Sequence, residues 1–152
     1  MSNNSTVPFQ TTLHVRDHCL CLHVQRAARA LARHFDDTLR PFGITSGQFS
    51  LMMSLNRPAP PNISSVSNLL GMDRTTLTAA LKPLERRGLV KSAPDENDRR
   101  SRCLNLTEAG MALLVEASSI WEKEHAALES RITPLSPDDL RTGLNQLSGW
   151  ET

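Results

Sequence analysis

A mainly α-helical chain carrying one small β wing is the fold class this sequence predicts, and three observations predict it. Residues 71–106 string together a turn, a helix polar on one face and apolar on the other, an Arg-rich loop and a brief alternating strand. From Thr107 onward, Met111, Leu114, Ser118, Trp121, His125, Leu128 and Ile132 recur alternately three and four apart. That is the seam of a helix packed against other helices over most of its length. Val24, Ala28, Leu31, Phe35 and Leu39 mark a second long helical stripe near the start. Helix, strand, basic tip and strand in that order make a winged helix-turn-helix, and the long helices outside it make a helical dimerisation module.

The first helix is expected over residues 16–40, broken by Pro41-Phe42-Gly43. Thr45 or Ser46 opens the next, which stops before Pro58, and Pro58-Ala59-Pro60-Pro61 is a stiff connector. A helix over residues 63–70 follows; Gly71 can end it and Asp73 can cap its successor. On that successor, at about 100° per residue, Leu77, Leu81 and Leu84 share one face while Thr75, Thr78, Ala79, Lys82 and Arg86 share the other. Pro83 falls inside this helix, where a proline removes a backbone bond and favours a kink. Gly88 stops the helix and Leu89-Val90-Lys91 begins a strand. Pro94-Asp95-Glu96-Asn97-Asp98-Arg99-Arg100 is a polar turn, and Arg102-Cys103-Leu104-Asn105-Leu106 returns with Cys103 off the apolar face. Thr107 caps the long helix, and Ser136-Pro137-Asp138-Asp139 opens a last short one with favourable N-terminal chemistry.

At 152 residues the chain is one domain's worth and long enough for a substantial core. A single domain over residues 1–152 is expected, with 16–40 and 107–150 as its dimerisation region and 45–106 as its DNA-binding lobe. No run of about 20 apolar residues is present to span a membrane. The start, Met1-Ser2-Asn3-Asn4-Ser5-Thr6, is polar and lacks the apolar stretch of a signal peptide, so a loose tail on a cytoplasmic protein is expected. A net charge of +1 does not by itself point to nucleic acid, but its distribution is informative. Residues 73–102 carry eight Lys/Arg against five Asp/Glu, and residues 103–152 carry three against eight. One basic part and one acidic part fit a protein that touches DNA with one end only.

Hydroxyls, a methyl and two cations on one helical face suit a major groove, where they meet base edges, thymine methyls and phosphates. Thr75, Thr76, Thr78 and Lys82 are the candidates for base edges, with Arg74 and Arg86 for phosphates. The basic tip can place Arg100, backed by Arg99, in a narrow minor groove, and Asp98 can orient the Arg100 guanidinium by a bidentate pair. Ser64, Ser65 or Ser67 can bond a phosphate or serve as a helix-capping hydroxyl.

These segments, taken in order, resemble the MarR family of transcriptional regulators. Leu51-Met52-Met53, Ser65-Val66-Ser67-Asn68-Leu69-Leu70-Gly71-Met72-Asp73 and Leu84-Glu85-Arg86-Arg87-Gly88-Leu89-Val90 carry the first part of the likeness. Asp95-Glu96-Asn97-Asp98-Arg99-Arg100-Ser101 matches the family's wing, and Leu104-Asn105-Leu106-Thr107-Glu108-Ala109-Gly110 its turn into the long helix. The likeness runs over roughly residues 16–149. It implies a homodimer on double-stranded DNA, usually a repressor, released by a small ligand or by oxidation. Two-fold symmetry then implies a pseudo-palindromic operator with half-sites about one helical turn apart.

What would control such a switch is open to several readings. An aromatic or carboxylate effector between the dimer helices and the DNA-binding lobe is the family's common case, and Arg16, His23 and Arg26 are candidate anion partners. His14, His18 and Cys21 share one helical face if the helix already runs there, a feasible metal-ligand spacing, although no Cys-x-x-Cys appears. Cys19 and Cys21 are redox candidates. Leu20-Cys21-Leu22 resembles the reactive-cysteine region of the organic-peroxide branch, which also relies on tyrosines, and this chain has no Tyr. Thiols in a cytoplasmic protein are most often reduced and structural, and residues two apart on a helix diverge too far to pair. No Gly-rich phosphate loop, zinc-hydrolase pair or nucleophile elbow appears, so neither an enzyme nor a cofactor is expected. A winged-helix module that binds protein instead of DNA is the competing function.

Overall fold

The computed structural model describes residues 6–149; Met1–Ser5 of the expected tail, and residues 150–152, lie outside them. Its elements are α1 (Phe9–His18), α2 (Leu20–Leu39), α3 (Ser46–Leu55), α4 (Ile63–Leu70), α5 (Arg74–Arg86), β1 (Val90–Pro94), β2 (Arg102–Leu106), α6 (Glu108–Glu129) and α7 (Pro137–Ser148). The mainly helical class with a two-stranded wing is as the sequence predicts.

Each helix start has a local chemical cause. Thr45 and Gln48 form a reciprocal capping box at α3, and Asn62, Asp73, Thr107 and Ser136 each accept a backbone N–H at the start of α4, α5, α6 and α7. A 3-10 turn over Arg40–Phe42 leads into Gly43, whose left-handed φ of 66° redirects the chain between α2 and α3. Gly88, at φ 68°, does the same between α5 and the wing, and the Leu89 N–H then reaches the Leu84 carbonyl at 3.0 Å.

The helix expected over residues 16–40 differs at its start. Helix begins at Phe9 and is interrupted at Cys19, whose backbone is extended at φ −71° and ψ 108°. The Cys19 thiol accepts the Leu22 N–H at 3.5 Å and its carbonyl accepts the His23 N–H at 3.1 Å, so this residue caps α2. Pro83 does not break α5, which runs unbroken to Arg86. Ala79, whose carbonyl loses its donor there, is exposed. Pro94, expected in the turn, closes β1 by pairing with Arg102, and Leu89 lies just outside that strand. Ile132, expected on the long helical seam, falls past the end of α6 at Glu129.

The core lies where α3, α4, α5 and the wing base meet the C-terminal half of α2 and the first half of α6. Leu39, Leu51, Met52, Val66, Leu77, Leu84 and Leu104 are the largest of its fully buried side chains. The three apolar positions of α5, Leu77, Leu81 and Leu84, are all buried, so its hydroxyl and cationic face points outward. At about 2 kcal/mol for each fully buried leucine, that face fixes the helix's rotation firmly. By contrast α1 and α7 bury no residue.

Candidate nucleic-acid interface

The outward face of α5 begins at its cap. The Asp73 carboxylate accepts both the backbone N–H and the hydroxyl of Thr76 at 2.8 Å. Those bonds, the backbone one first, hold the carboxyl below the ordinary carboxylate range. Thr75, Thr76, Thr78, Ala79, Lys82 and Arg86 are all exposed along this helix. The Thr78 hydroxyl donates to the Arg74 carbonyl at 2.8 Å. Thr76 and Thr78 have therefore committed their protons within the helix and offer oxygen acceptors to a groove.

The wing is a tight antiparallel hairpin in which Val90 pairs with Leu106 and Ala93 with Cys103. Its tip is ordered by its own polar groups. Asp95 accepts the Asn97 N–H at 2.9 Å, and Asp98 accepts the Arg100 backbone N–H at 3.0 Å. This differs from the expected pairing of Asp98 with the Arg100 guanidinium: the carboxylate shapes the turn and leaves the Arg100 head outward. A groove of about 400 Å³ joins wing to helix, lined by Ser64, Arg74, Thr78, Asp98, Arg100 and Arg102 among others. Five residues singled out from sequence, Ser64, Arg74, Thr78, Asp98 and Arg100, thus meet at one place. Arg99 is exposed at the tip outside that lining.

Sequence reasoning missed three arginine placements. Arg57 donates to the Ser54 carbonyl at 2.9 Å and to the Ser65 hydroxyl at 2.8 Å. Arg87 donates to the carbonyls of Gly43 and Phe42, tying the end of α5 to the turn before α3. Arg102 donates to the Ser92 hydroxyl at 2.9 Å across the hairpin. For Arg57 the sequence signal was a cation just past the end of α3 with serines at 54 and 65, whereas nothing in the spacing marked the partners of Arg87 or Arg102. The serines also separate: Ser65 accepts from Arg57, Ser64 accepts from Arg74, and buried Ser67 donates to the Met72 carbonyl at 2.7 Å. Ser67 therefore belongs to the turn and is not placed to meet a phosphate.

The control candidates are dispersed. Arg16 forms a two-point pair with Asp17 at 2.6 and 2.8 Å, and the His23 ring meets the Cys19 carbonyl at 2.8 Å. Arg26 is exposed on α2. His14 and His18 stack at 4.4 Å, but the break at Cys19 removes Cys21 from their helix. Among the described residues no group of three or more His, Cys, Asp or Glu can hold a metal ion. Cys19, Cys21 and Cys103 are free thiols, and desolvation, then the Asp95 carboxylate, push the Cys103 thiol up. A cavity of about 450 Å³ lies elsewhere, between α3, α4 and α6, lined by Phe49, Met53, Leu69 and Trp121 with Ser50, Ser54, Ser118 and Glu122. Phe49 stacks on Trp121 at 5.8 Å and Trp121 on His125 at 4.5 Å behind it. Arg16, His23 and Arg26 do not line it.

Among the described residues no helix is long and apolar enough to cross a membrane. An exposed polar helix face, a basic hairpin tip beside it and helical extensions define a winged helix-turn-helix regulator. Residues 44–101 match the MarR family. The M. tuberculosis transcriptional regulator MosR, solved in complex with DNA, is 30% identical with a TM-score of 0.79, over 87% of this chain and 95% of that one. MgrA of Staphylococcus aureus is 28% identical over 131 residues, 86% of this chain and 85% of MgrA. PecS of Dickeya dadantii, described like MgrA as an HTH-type transcriptional regulator, is 28% identical over 129 residues, 83% of this chain and 75% of PecS. The chain belongs to the MarR family and is a DNA-binding transcriptional regulator.

Proposed function

We propose that the chain acts as a homodimeric repressor on a pseudo-palindromic operator, with α5 in the major groove and the wing tip in the adjacent minor groove. One domain carries both functions, in that residues 45–106 bind DNA while residues 16–40 with 107–150 hold two copies together. The observation that carries this reading is the shared groove where Arg74 and Thr78 of α5 meet Arg100 of the wing. Thr75, Thr76, Thr78 and Lys82 address base edges, Arg74 and Arg86 phosphates, and Arg100 the minor groove, with Arg99 beside it. We read the chain as a regulator without catalysis, acting in the cytoplasm where the chromosome lies.

A small aromatic effector fits the cavity of Phe49, Met53, Leu69 and Trp121, which lies against both α3 of the core and α6. Its lining contains no Lys, Arg or His, so the cavity favours a neutral ring over a carboxylate. Such a molecule releases DNA only by binding the DNA-incompetent arrangement more tightly than the competent one. Fluorescence anisotropy against DNA from just upstream of its own gene, with an unrelated duplex as control, tests the regulator reading. Tight binding that weakens steeply with salt is expected, and Arg100→Ala should weaken operator binding at least about tenfold, roughly 1.4 kcal/mol. Equal weak binding to both duplexes, unaffected by Arg100→Ala, would favour a protein-binding module instead.

A further inference from the structure

The ion pairs formed by arginines among the described residues, Arg16 with Asp17, Arg40 with Asp37, and Arg141 with Glu129 and Asp138, all lie away from the face built by α4, α5 and the wing. On that face neutral oxygens hold Arg57 and Arg74. Arg57 donates Nε to the Ser54 carbonyl at 2.9 Å and Nη1 to the Ser65 hydroxyl at 2.8 Å, while Arg74 donates to the Ser64 hydroxyl. A carboxylate would both aim a guanidinium and cancel its charge. A hydroxyl or carbonyl aims it and leaves the charge whole. Arg57 keeps Nη2 for a further partner and sits, exposed, beside the first turn of α4, whose Ser64 lines the groove shared by Arg74 and Arg100.

We propose that Arg57 is a further DNA-backbone contact, taking a phosphate oxygen with the guanidinium edge that Ser54 and Ser65 leave open. The inference rests on the DNA-binding reading and extends the interface beyond α5 and the wing to the loop after α3. Ser65 then acts through Arg57 as a positioning residue, as Ser64 does through Arg74. Two adjacent serines at the start of α4 thereby aim two arginines from separate segments at the backbone. A phosphate contact carries no base information, so Arg57 strengthens binding to every sequence alike and sets how deeply the recognition helix sits.

The test compares the unaltered protein with Arg57→Gln, Arg57→Lys and Ser65→Ala by anisotropy between 50 and 200 mM salt, on operator and unrelated duplexes. Arg57→Gln should weaken both duplexes by a similar factor and flatten the salt dependence by about one unit of slope per subunit. Its deficit relative to the unaltered protein should therefore shrink about threefold per subunit as salt rises over that range. Arg57→Lys should keep the slope but lose part of the affinity, because an ammonium cannot be held by the same fork. Ser65→Ala should keep the slope and weaken binding severalfold. A purely structural Arg57 would lower the melting temperature without moving the slope, and an unchanged Arg57→Gln slope in a folded protein overturns the proposal. If Arg57→Gln does not fold, full affinity in Ser65→Ala overturns it equally. Failure of the unaltered protein to prefer its operator would instead remove the regulator reading itself.

Discussion

At the scale of single residues, the interface is built by side chains that first satisfy the backbone. Asp73 is the clearest case: its carboxylate stitches Thr76 into the first turn of α5, and those bonds keep it ionised. Its folded pKa lies below the unfolded value, so its stabilising contribution is complete above the ordinary carboxylate range. That contribution is lost as pH falls from about 4 through the lower folded value. Asp73→Asn retains an acceptor for the Thr76 N–H and should fold normally near neutral pH, but its melting temperature should fall less steeply between about pH 5 and 3 than that of the unaltered protein. Parallel acid limbs for the two proteins would show that the cap is not a titrating contact. The cap itself was legible from its position before an amphipathic run. The hydroxyl commitments of Thr76 and Thr78 and the backbone bond of Asp98 were not, because spacing reveals which face a side chain occupies and says little about which local oxygen takes its proton.

At the scale of elements, the junction between wing and α6 depends on a close backbone approach. The Thr107 hydroxyl accepts the Gly110 N–H at 3.0 Å and donates to the Gly88 carbonyl at 2.6 Å, while the Thr107 N–H reaches the Leu89 carbonyl at 3.0 Å. A Cβ at Gly110 would stand 2.0 Å from that Leu89 oxygen, a clash with backbone that no rotamer relieves. Gly110→Ala should therefore cost about 3 kcal/mol by chemical denaturation, and Thr107→Ala about 1 kcal/mol through the lost cap. A neutral Gly110→Ala would mean that α6 can slide off the wing base freely. Caps and glycine stops made α3 to α7 readable from sequence, since Ser, Thr, Asn and Asp at helix starts satisfy orphan N–H groups in a fixed way. The interruption at Cys19 was not readable: no proline or glycine marks it, and a thiol is a weak cap that sequence rules do not register. The cavity beside Trp121 was equally hidden, since Phe49 and Trp121 sit on separate helices that only the packed fold brings together.

At the scale of the whole molecule, the single chain leaves an apolar surface that a second copy is suited to cover. Phe9 is 67% and Val15 52% exposed on α1, and Leu20, Leu22, Val24 and Leu31 continue the exposure along α2. On α7, Leu140, Leu144 and Leu147 recur at helical spacing, with Leu147 60% exposed, and Arg141 of the same helix pairs with Glu129 of α6. Charge agrees with this division, since the acidic half of the chain lies in α6 and α7 and the cations gather on α5 and the wing. An acidic surface near DNA would be repelled, so the two ends suit different partners. Leu144→Glu with Leu147→Glu removes apolar contact and adds two like charges per copy at a two-fold interface. Sedimentation should show the doubly substituted protein as a monomer. Operator affinity should then fall far more than affinity for unrelated DNA, because one lobe alone reads one half-site and loses the gain from joint engagement. A doubly substituted protein that still sediments as a dimer and holds its operator would place the subunit interface elsewhere, away from α7.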